Sequence, residues 1–233
     1  MTDHRLLNTW VAAHTALLVD GQARLNKIVG TDLPSWELNS VSGLLTINGH
    51  RLQCALVGSV GDEDHMWTWA WADPSLTQSD IAVHRCHPLR SFGREAGLWE
   101  FVDRSFSTLG ILDLGMTPGA TVAIVASPQI MGSAIFSAPE DHRRLYFVIT
   151  DPLLTLDTPT AFMTPQIFTA ALSYGLGNHK DIVAVYAAAN QLDVEEVGST
   201  VVLTFKDNSQ LKVNFNEEGH LCDMEGILSP DQL

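Results

Sequence analysis

The chain has 233 residues and a formal net charge of −14, and its 45% hydrophobic and 17% charged residues are typical of a globular protein. Nucleic-acid binding depends on clusters of lysine and arginine, so this acidic composition argues against a nucleic-acid partner. No stretch approaches ~18 uninterrupted apolar residues, and we therefore expect no membrane span.

The compartment is predicted from the N-terminal residues and the cysteines. The first residues lack the apolar run and the small-residue cleavage site of a signal peptide. Cys54, Cys86 and Cys222 have no paired spacing, which is typical of a reducing compartment rather than of a disulfide framework. We expect a cytoplasmic protein.

The N-terminal third predicts a helix followed by a hairpin. Apolar residues recur at steps of three and four over residues 4–28, as in one amphipathic helix. Two apolar runs, Trp36 to Ile47 and Leu52 to Val60, then flank Asn48-Gly49-His50. Because Asn-Gly readily takes the positive φ of a tight turn, these runs predict a hairpin.

Three tryptophans alternate with small residues directly after an acidic tip at residues 61–65. Since side chains of a strand point alternately to opposite faces, Trp67, Trp69 and Trp71 are predicted to share one face of an extended strand. This strand completes a predicted three-stranded antiparallel meander over residues 36–73.

Two interpretations of the tryptophan strand remain open. In the first, it is a core wall against which the first helix packs. In the second, one end of the strand opens into a pocket for an apolar or cationic group, with Trp71 at the rim and Trp67 and Trp69 buried. The predicted binding residues are Trp67, Trp69, Trp71, Asp73 and Tyr174.

One segment of the sequence reads G-S at residues 58–59 and W-T-W-A-W-A-D at residues 67–73, and S-F-G-R-E-A follows. This segment resembles a bacterial family of domains of unknown function. That family carries a G-S loop and a W-x-W-A-W-A-N signature after an N-terminal helix. Asp73 stands where asparagine is usual. The resemblance covers about residues 36–150 and implies a fold and a compartment, but it transfers no catalytic residue.

The remaining chain predicts short elements in sequence order. Thr77 to Leu109 is predicted helical in pieces with a break at Pro88, and residues 120–126 fit a short helix or a buried strand equally well. The later predicted elements are a hairpin of residues 130–137 and 145–150, helices over 164–174 and 182–191, and strands at 201–205, 211–215 and 221–224.

This order predicts an α+β protein with antiparallel meanders packed against helices, in two similar lobes. A proline- and threonine-rich stretch, residues 151–164, marks the boundary between predicted domains 1–150 and 151–233.

The sequence contains no standard catalytic or phosphate-binding motif. His84-Arg85-Cys86-His87 and the acidic tip hold possible metal ligands, but neither offers a complete ligand set at a suitable spacing. We therefore predict no catalytic residue, no metal and no cofactor.

The leading hypothesis is a non-enzymatic binding or protein-interaction module. Residues 181–233 hold ten Asp or Glu against two Lys, a charge that favours a solvated, solubilising surface. The other interpretation of this charge is attraction of a basic protein partner, including a toxin bound by an immunity-like protein. A small apolar or cationic ligand is the other expected partner. The alternatives are a small-molecule enzyme with a His/carboxylate site between the lobes, and a structural oligomer component. The oligomeric state stays open.

Overall fold

A computed structural model describes residues 3–31, 34–112, 114–117, 119–155, 159–174 and 177–227. Its contacts divide the chain into two units, which we call unit 1 (residues 1–11 and 21–155) and unit 2 (residues 12–20 and 156–233). Each unit combines helices with an antiparallel sheet, so the predicted α+β class is confirmed. The division into domains 1–150 and 151–233 stays a prediction.

Unit 1 contains a seven-stranded antiparallel sheet in its described part. Its strands are β1 (Trp36–Asn39), β2 (Leu44–Ile47), β3 (His50–Gly61), β4 (Met66–Trp69), β5 (Ser105–Ser107), β6 (Ala134–Glu140) and β7 (Arg143–Ile149). The long strand β3 pairs with β2, β4 and β7, and β6 and β7 form the predicted second hairpin. β3 is therefore the strand around which this sheet is assembled.

The predicted first hairpin is confirmed between β2 and β3. Asn48 and Gly49 have φ values of 49° and 83°, the left-handed pair that a two-residue hairpin turn requires. The run Trp36 to Ile47 holds two strands rather than one, because a turn at residues 40–43 reverses the chain between β1 and β2. The meander expected to have three strands therefore has four.

Two helices replace the single helix predicted over residues 4–28. α1 (Arg5–Ala13) and α2 (Thr15–Val29) are separated at His14. The hydroxyl of Thr15 donates a hydrogen bond of 2.9 Å to the carbonyl of Ala12. Apolar periodicity does not reveal this interruption, because the apolar stripe continues on both sides of His14.

Three helices confirm most of the prediction that Thr77 to Leu109 is helical in pieces. They are α3 (Ile81–His84), α4 (Pro88–Ala96) and α5 (Trp99–Val102). The prediction is wrong for the end of that range, where β5 pairs with β4 as a strand. The ambiguous segment is a helix, α6 (Ala120–Ala126), and all seven of its residues are buried. Burial on every side removes the amphipathic pattern that would have identified it as a helix. No helix in the described ranges is long and apolar enough to cross a membrane.

Unit 2 packs helices on a four-stranded antiparallel sheet. Its later elements are α7 (Thr164–Leu172), α8 (His179–Ala189), β8 (Asp193–Val197), β9 (Thr200–Thr204), β10 (Gln210–Phe215) and β11 (Leu221–Ile227), with strand order β11-β10-β9-β8. Phe168, Tyr186 and Leu203 are buried in its core. The two helices and three of the strands were predicted, whereas β8 was not.

Candidate functional site

Two of the tryptophans of β4 lie in the core of unit 1. Trp67 and Trp69 are fully buried, and their rings meet edge to face with centroids 5.1 Å apart. The indole N–H of Trp69 donates to the backbone carbonyl of Glu100 at 2.8 Å. The burial of these two residues agrees with both interpretations of the tryptophan strand.

Trp71 does not belong to the strand. The carbonyl of Trp69 accepts hydrogen bonds from the backbone N–H groups of Ala72 (2.9 Å) and Asp73 (3.0 Å), so a turn begins where β4 ends. The prediction that three indoles project in register from one extended segment is therefore wrong for Trp71. Its ring is half-buried in the turn.

Three arginines contact three consecutive residues of this turn. Their contacts are Arg90 over the ring of Trp71 at 5.0 Å, Arg104 to the carbonyl of Ala72 at 3.1 Å, and Arg143 to the carboxylate of Asp73 at 2.7 Å. They come from α4, from the segment before β5 and from β7. The turn therefore connects parts of unit 1 that are far apart in sequence.

The carboxylate of Asp73 is buried and accepts its hydrogen bonds from other residues of unit 1. Besides Arg143, it accepts the backbone N–H of Ser75 at 2.8 Å and the hydroxyl of Ser75 at 2.7 Å. Burial opposes its ionisation, but the hydrogen bonds from Ser75 and Arg143 outweigh burial and lower the pKa of Asp73. Asp73 is thus held as an anion.

The five predicted binding residues are divided between the units. Trp67, Trp69, Trp71 and Asp73 lie in one segment of unit 1, whereas Tyr174 follows α7 in unit 2 and is 36% exposed. A binding role for the five stays a prediction.

A buried histidine and carboxylate form a pair in unit 1 that sequence analysis missed. His4 Nδ1 lies 2.9 Å from Glu100 Oε1, and each side chain is 1% exposed. His4 Nε2 and Glu100 Oε2 have no hydrogen-bond partner in the described ranges. Since 96 residues separate the two, no local signal predicts the contact. The pair has the chemistry of a general acid and base, but it is closed to solvent.

The possible ligands at residues 84–87 do not form a metal centre. The thiol of Cys86 is buried and donates to the carbonyl of Val83, and burial raises its pKa to about 12. It is therefore protonated at neutral pH, which makes it a poor nucleophile. No group of three or more His, Cys, Asp or Glu suited to a metal ion is found where the structure describes the chain.

β8 is an exposed acidic strand at the edge of the sheet of unit 2. Among the strands that the structure describes it pairs only with β9, and all five of its residues are exposed. Asp193, Glu195 and Glu196 form no ion pair with any described residue, and Val194 and Val197 are 49% and 58% exposed. The strand therefore offers unpaired backbone groups, three carboxylates and two apolar side chains together.

Charge is distributed unevenly between the units. Unit 1 holds 10 Lys or Arg and 15 Asp or Glu, a net of −5, whereas unit 2 holds 3 and 12, a net of −9. All of the arginines belong to unit 1. Unit 2 therefore has the stronger negative field for its size.

The comparisons with known proteins identify a family but no activity. No curated protein and no solved structure matches the chain. A family model matches residues 8–152, which include the tryptophan strand and exclude the sheet of unit 2. Since this match spans more than half of the sequence, the chain belongs to DUF6882, a family of unknown function.

Proposed function

We propose that the protein is a non-enzymatic interaction module of the cytoplasm that binds a basic protein through unit 2. The observation that carries the proposal is the exposed strand β8, whose three carboxylates have no ion-pair partner among the described residues. An acidic surface of this kind steers a positively charged partner and selects it by charge complementarity. A basic toxin held by an immunity-like protein is one such pair.

Several groups that could perform chemistry are closed to solvent, which supports binding over catalysis. The His4–Glu100 pair is buried, and burial raises the pKa values of Cys54 and Cys86 to about 12. Cys54, Cys86 and Cys222 are free thiols, which supports the proposed cytoplasmic location.

A second candidate is a small apolar or cationic ligand at Trp71. Arg90 already lies over this indole at 5.0 Å, so the ring face accepts a cation, and the exposed Arg90 side chain must move for a ligand to replace it. Tetramethylammonium is a suitable probe. Quenching of tryptophan fluorescence that is lost in Trp71→Phe supports this site, and a titration that leaves the fluorescence unchanged contradicts it.

Binding of a short basic peptide tests the main proposal. The probe is a fluorescein-labelled peptide of alternating Lys and Val, followed by fluorescence anisotropy at increasing NaCl. The variant Asp193→Asn/Glu195→Gln/Glu196→Gln removes three exposed partners worth about 0.2–1 kcal/mol each, which predicts roughly 3- to 150-fold weaker binding at low salt. The wild-type affinity should fall as salt screens the charges.

The matched control removes the same charge from unit 1. Asp62→Asn/Glu63→Gln/Glu95→Gln changes three exposed carboxylates, so the net charge of the chain rises equally. This control should retain the wild-type affinity within about 2-fold, because screening limits the reach of charges outside the binding surface. Equal losses in both triple variants, or wild-type binding that does not respond to salt, would contradict the proposal.

A further inference from the structure

The outer edge of β8 presents unpaired backbone groups. In the order β11-β10-β9-β8, this strand forms a ladder with β9 and with no other described strand. Antiparallel pairing uses the N–H and C=O groups of every second residue, so the alternate groups of β8 point away from the sheet. Five residues at about 3.3 Å each give an edge of roughly 17 Å. An exposed edge of this kind is a template for an additional strand.

The register of the hairpin assigns the side chains of β8 to two faces. Val194 pairs with Leu203 and Glu196 with Val201, so these two extend the buried face of the sheet. Asp193, Glu195 and Val197 lie on the opposite face, since strand side chains alternate. Each face of the edge therefore combines carboxylate with apolar surface.

The charges of β8 decide what can pair with it. A second copy of the strand would place carboxylates beside carboxylates across the new ladder, and like charges directly opposite each other are destabilising. A strand that alternates Lys or Arg with β-branched residues places its basic side chains on one face, beside Asp193 and Glu195, and its β-branched side chains on the other face, beside Val194. The acidic edge thus disfavours self-association and selects a basic segment.

We propose that β8 binds an extended Lys- or Arg-rich segment of the partner by strand addition. The inference rests on the proposed function and adds to it the strand that binds, the backbone geometry of binding and the alternating basic and β-branched character of the bound segment. Its occupant is an extended peptide segment, because the edge supplies hydrogen bonds only to a strand-like backbone.

Backbone methylation of the peptide separates strand addition from simple charge attraction. Two versions of the Lys/Val peptide carry N-methyl groups on alternate residues, one version on the odd set and the other on the even set. Both keep the charge, but only one set of amides faces β8 in an antiparallel or parallel ladder. We expect one version to bind at least about 10-fold more weakly than the unmethylated peptide and the other to bind within about 3-fold.

Hydrogen exchange of the intact wild-type protein gives an independent readout. On addition of the unmethylated peptide, backbone amides of β8 that point away from β9 should become protected, whereas those already paired with β9 should change little. Equal binding by both methylated peptides without protection of the outward amides of β8, and with the salt dependence intact, would overturn strand addition and leave the proposed function standing. Absence of salt-dependent binding by any of the three peptides would instead overturn the proposed function.

Discussion

Gly58→Ala should destabilise unit 1 because the indole of Trp67 occupies the space that a side chain would need. A Cβ atom placed on Gly58 would lie 2.6 Å from Cζ2 of Trp67 and 2.6 Å from the carbonyl oxygen of Thr68. Gly119 adjoins the same indole, and a Cβ placed there would lie 2.6 Å from its Cζ3. Two glycines that lie 61 positions apart in the sequence thus make room for one ring.

The size of the effect follows from how little the neighbours can move. Carbon atoms pack at about 3.5–4.0 Å, so the new methyl group requires a displacement of roughly 1 Å. The ring of Trp67 is fully buried against Trp69 and Tyr146, and Thr68 belongs to the paired strand β4. Overpacking of this kind costs about 1–3 kcal/mol, and we expect the upper end, near ~3 kcal/mol.

Thermal unfolding followed by near-ultraviolet circular dichroism measures this change. For a unit of this size, ~3 kcal/mol corresponds to a decrease in Tm of roughly 6–12 °C. The matched control is Gly226→Ala in β11, where a Cβ would lie at an ordinary 3.6 Å from the carbonyl oxygen of Ala161. The control should shift the Tm little.

A second substitution tests the cause. Trp67→Phe removes the ring atom that clashes, so the double variant should be less destabilised than the sum of the two single variants by at least about 1 kcal/mol. An unchanged Tm for Gly58→Ala, or strict additivity of the two substitutions, would refute the overpacking argument.

Three further predictions concern the ionisable groups. Native protein should show one reactive thiol at pH 8 by Ellman titration, that of the exposed Cys222, and three after unfolding, because burial raises the pKa of the other two to about 12. His4→Phe leaves Glu100 buried and unpaired, so it should lower the free energy of unfolding in urea by about 3–5 kcal/mol. His4→Phe/Glu100→Leu should be nearly neutral, and equal losses of stability in the two variants would contradict this prediction. Because the pKa of Asp73 is lowered in the fold, the ionised carboxylate stabilises the protein at pH values above 3.8, the ordinary pKa of this group. This stabilisation is lost as the pH falls through the lowered pKa. Arg143→Gln should therefore unfold at a higher pH in an acid titration, and an unchanged acid midpoint would count against the ion pair.

Elements whose geometry depends on residues adjacent in the sequence were predicted well. The turn at Asn48-Gly49 is an example, because its geometry requires only two residues that accept positive φ. The position of β7 beside β3 was not predicted. Cys54 pairs with Ile149 across this ladder, and a pairing between residues so far apart leaves no trace in local periodicity.

The end of the tryptophan strand shows the same limit. Alternation extends through Trp71, yet the ladder between β4 and β5 ends at Thr68, which pairs with Ser105. The chain turns after Trp69, whose carbonyl accepts the N–H groups of Ala72 and Asp73, and the alternation of residue types does not reveal this turn. The sequence therefore predicted the two buried indoles and misplaced the third.

β8 was missed because strand prediction relied on alternation of apolar and polar residues. D-V-E-E-V lacks that pattern, since the strand is exposed on both faces. A local signal was nevertheless present: valines precede Gly198-Ser199, and a predicted strand follows. Glycine next to a polar residue between two β-branched segments is typical of a hairpin turn, and Gly198 has a φ of 64°.

The family match and the proposed binding edge involve different residues. Residues 8–152 are matched and contain the indoles that fill the core of unit 1, whereas β8 lies outside the match. A related chain that shares only the matched residues would therefore keep the tryptophan core without this acidic edge. The shared part of the family then does not determine the binding partner.

Gly58→Ala should therefore lower the Tm of unit 1 without changing peptide affinity at a temperature where both proteins are folded. The triple substitution in β8 should weaken peptide binding without lowering the Tm of unit 1. A loss of peptide affinity in Gly58→Ala under those conditions would show that recognition also depends on the matched unit.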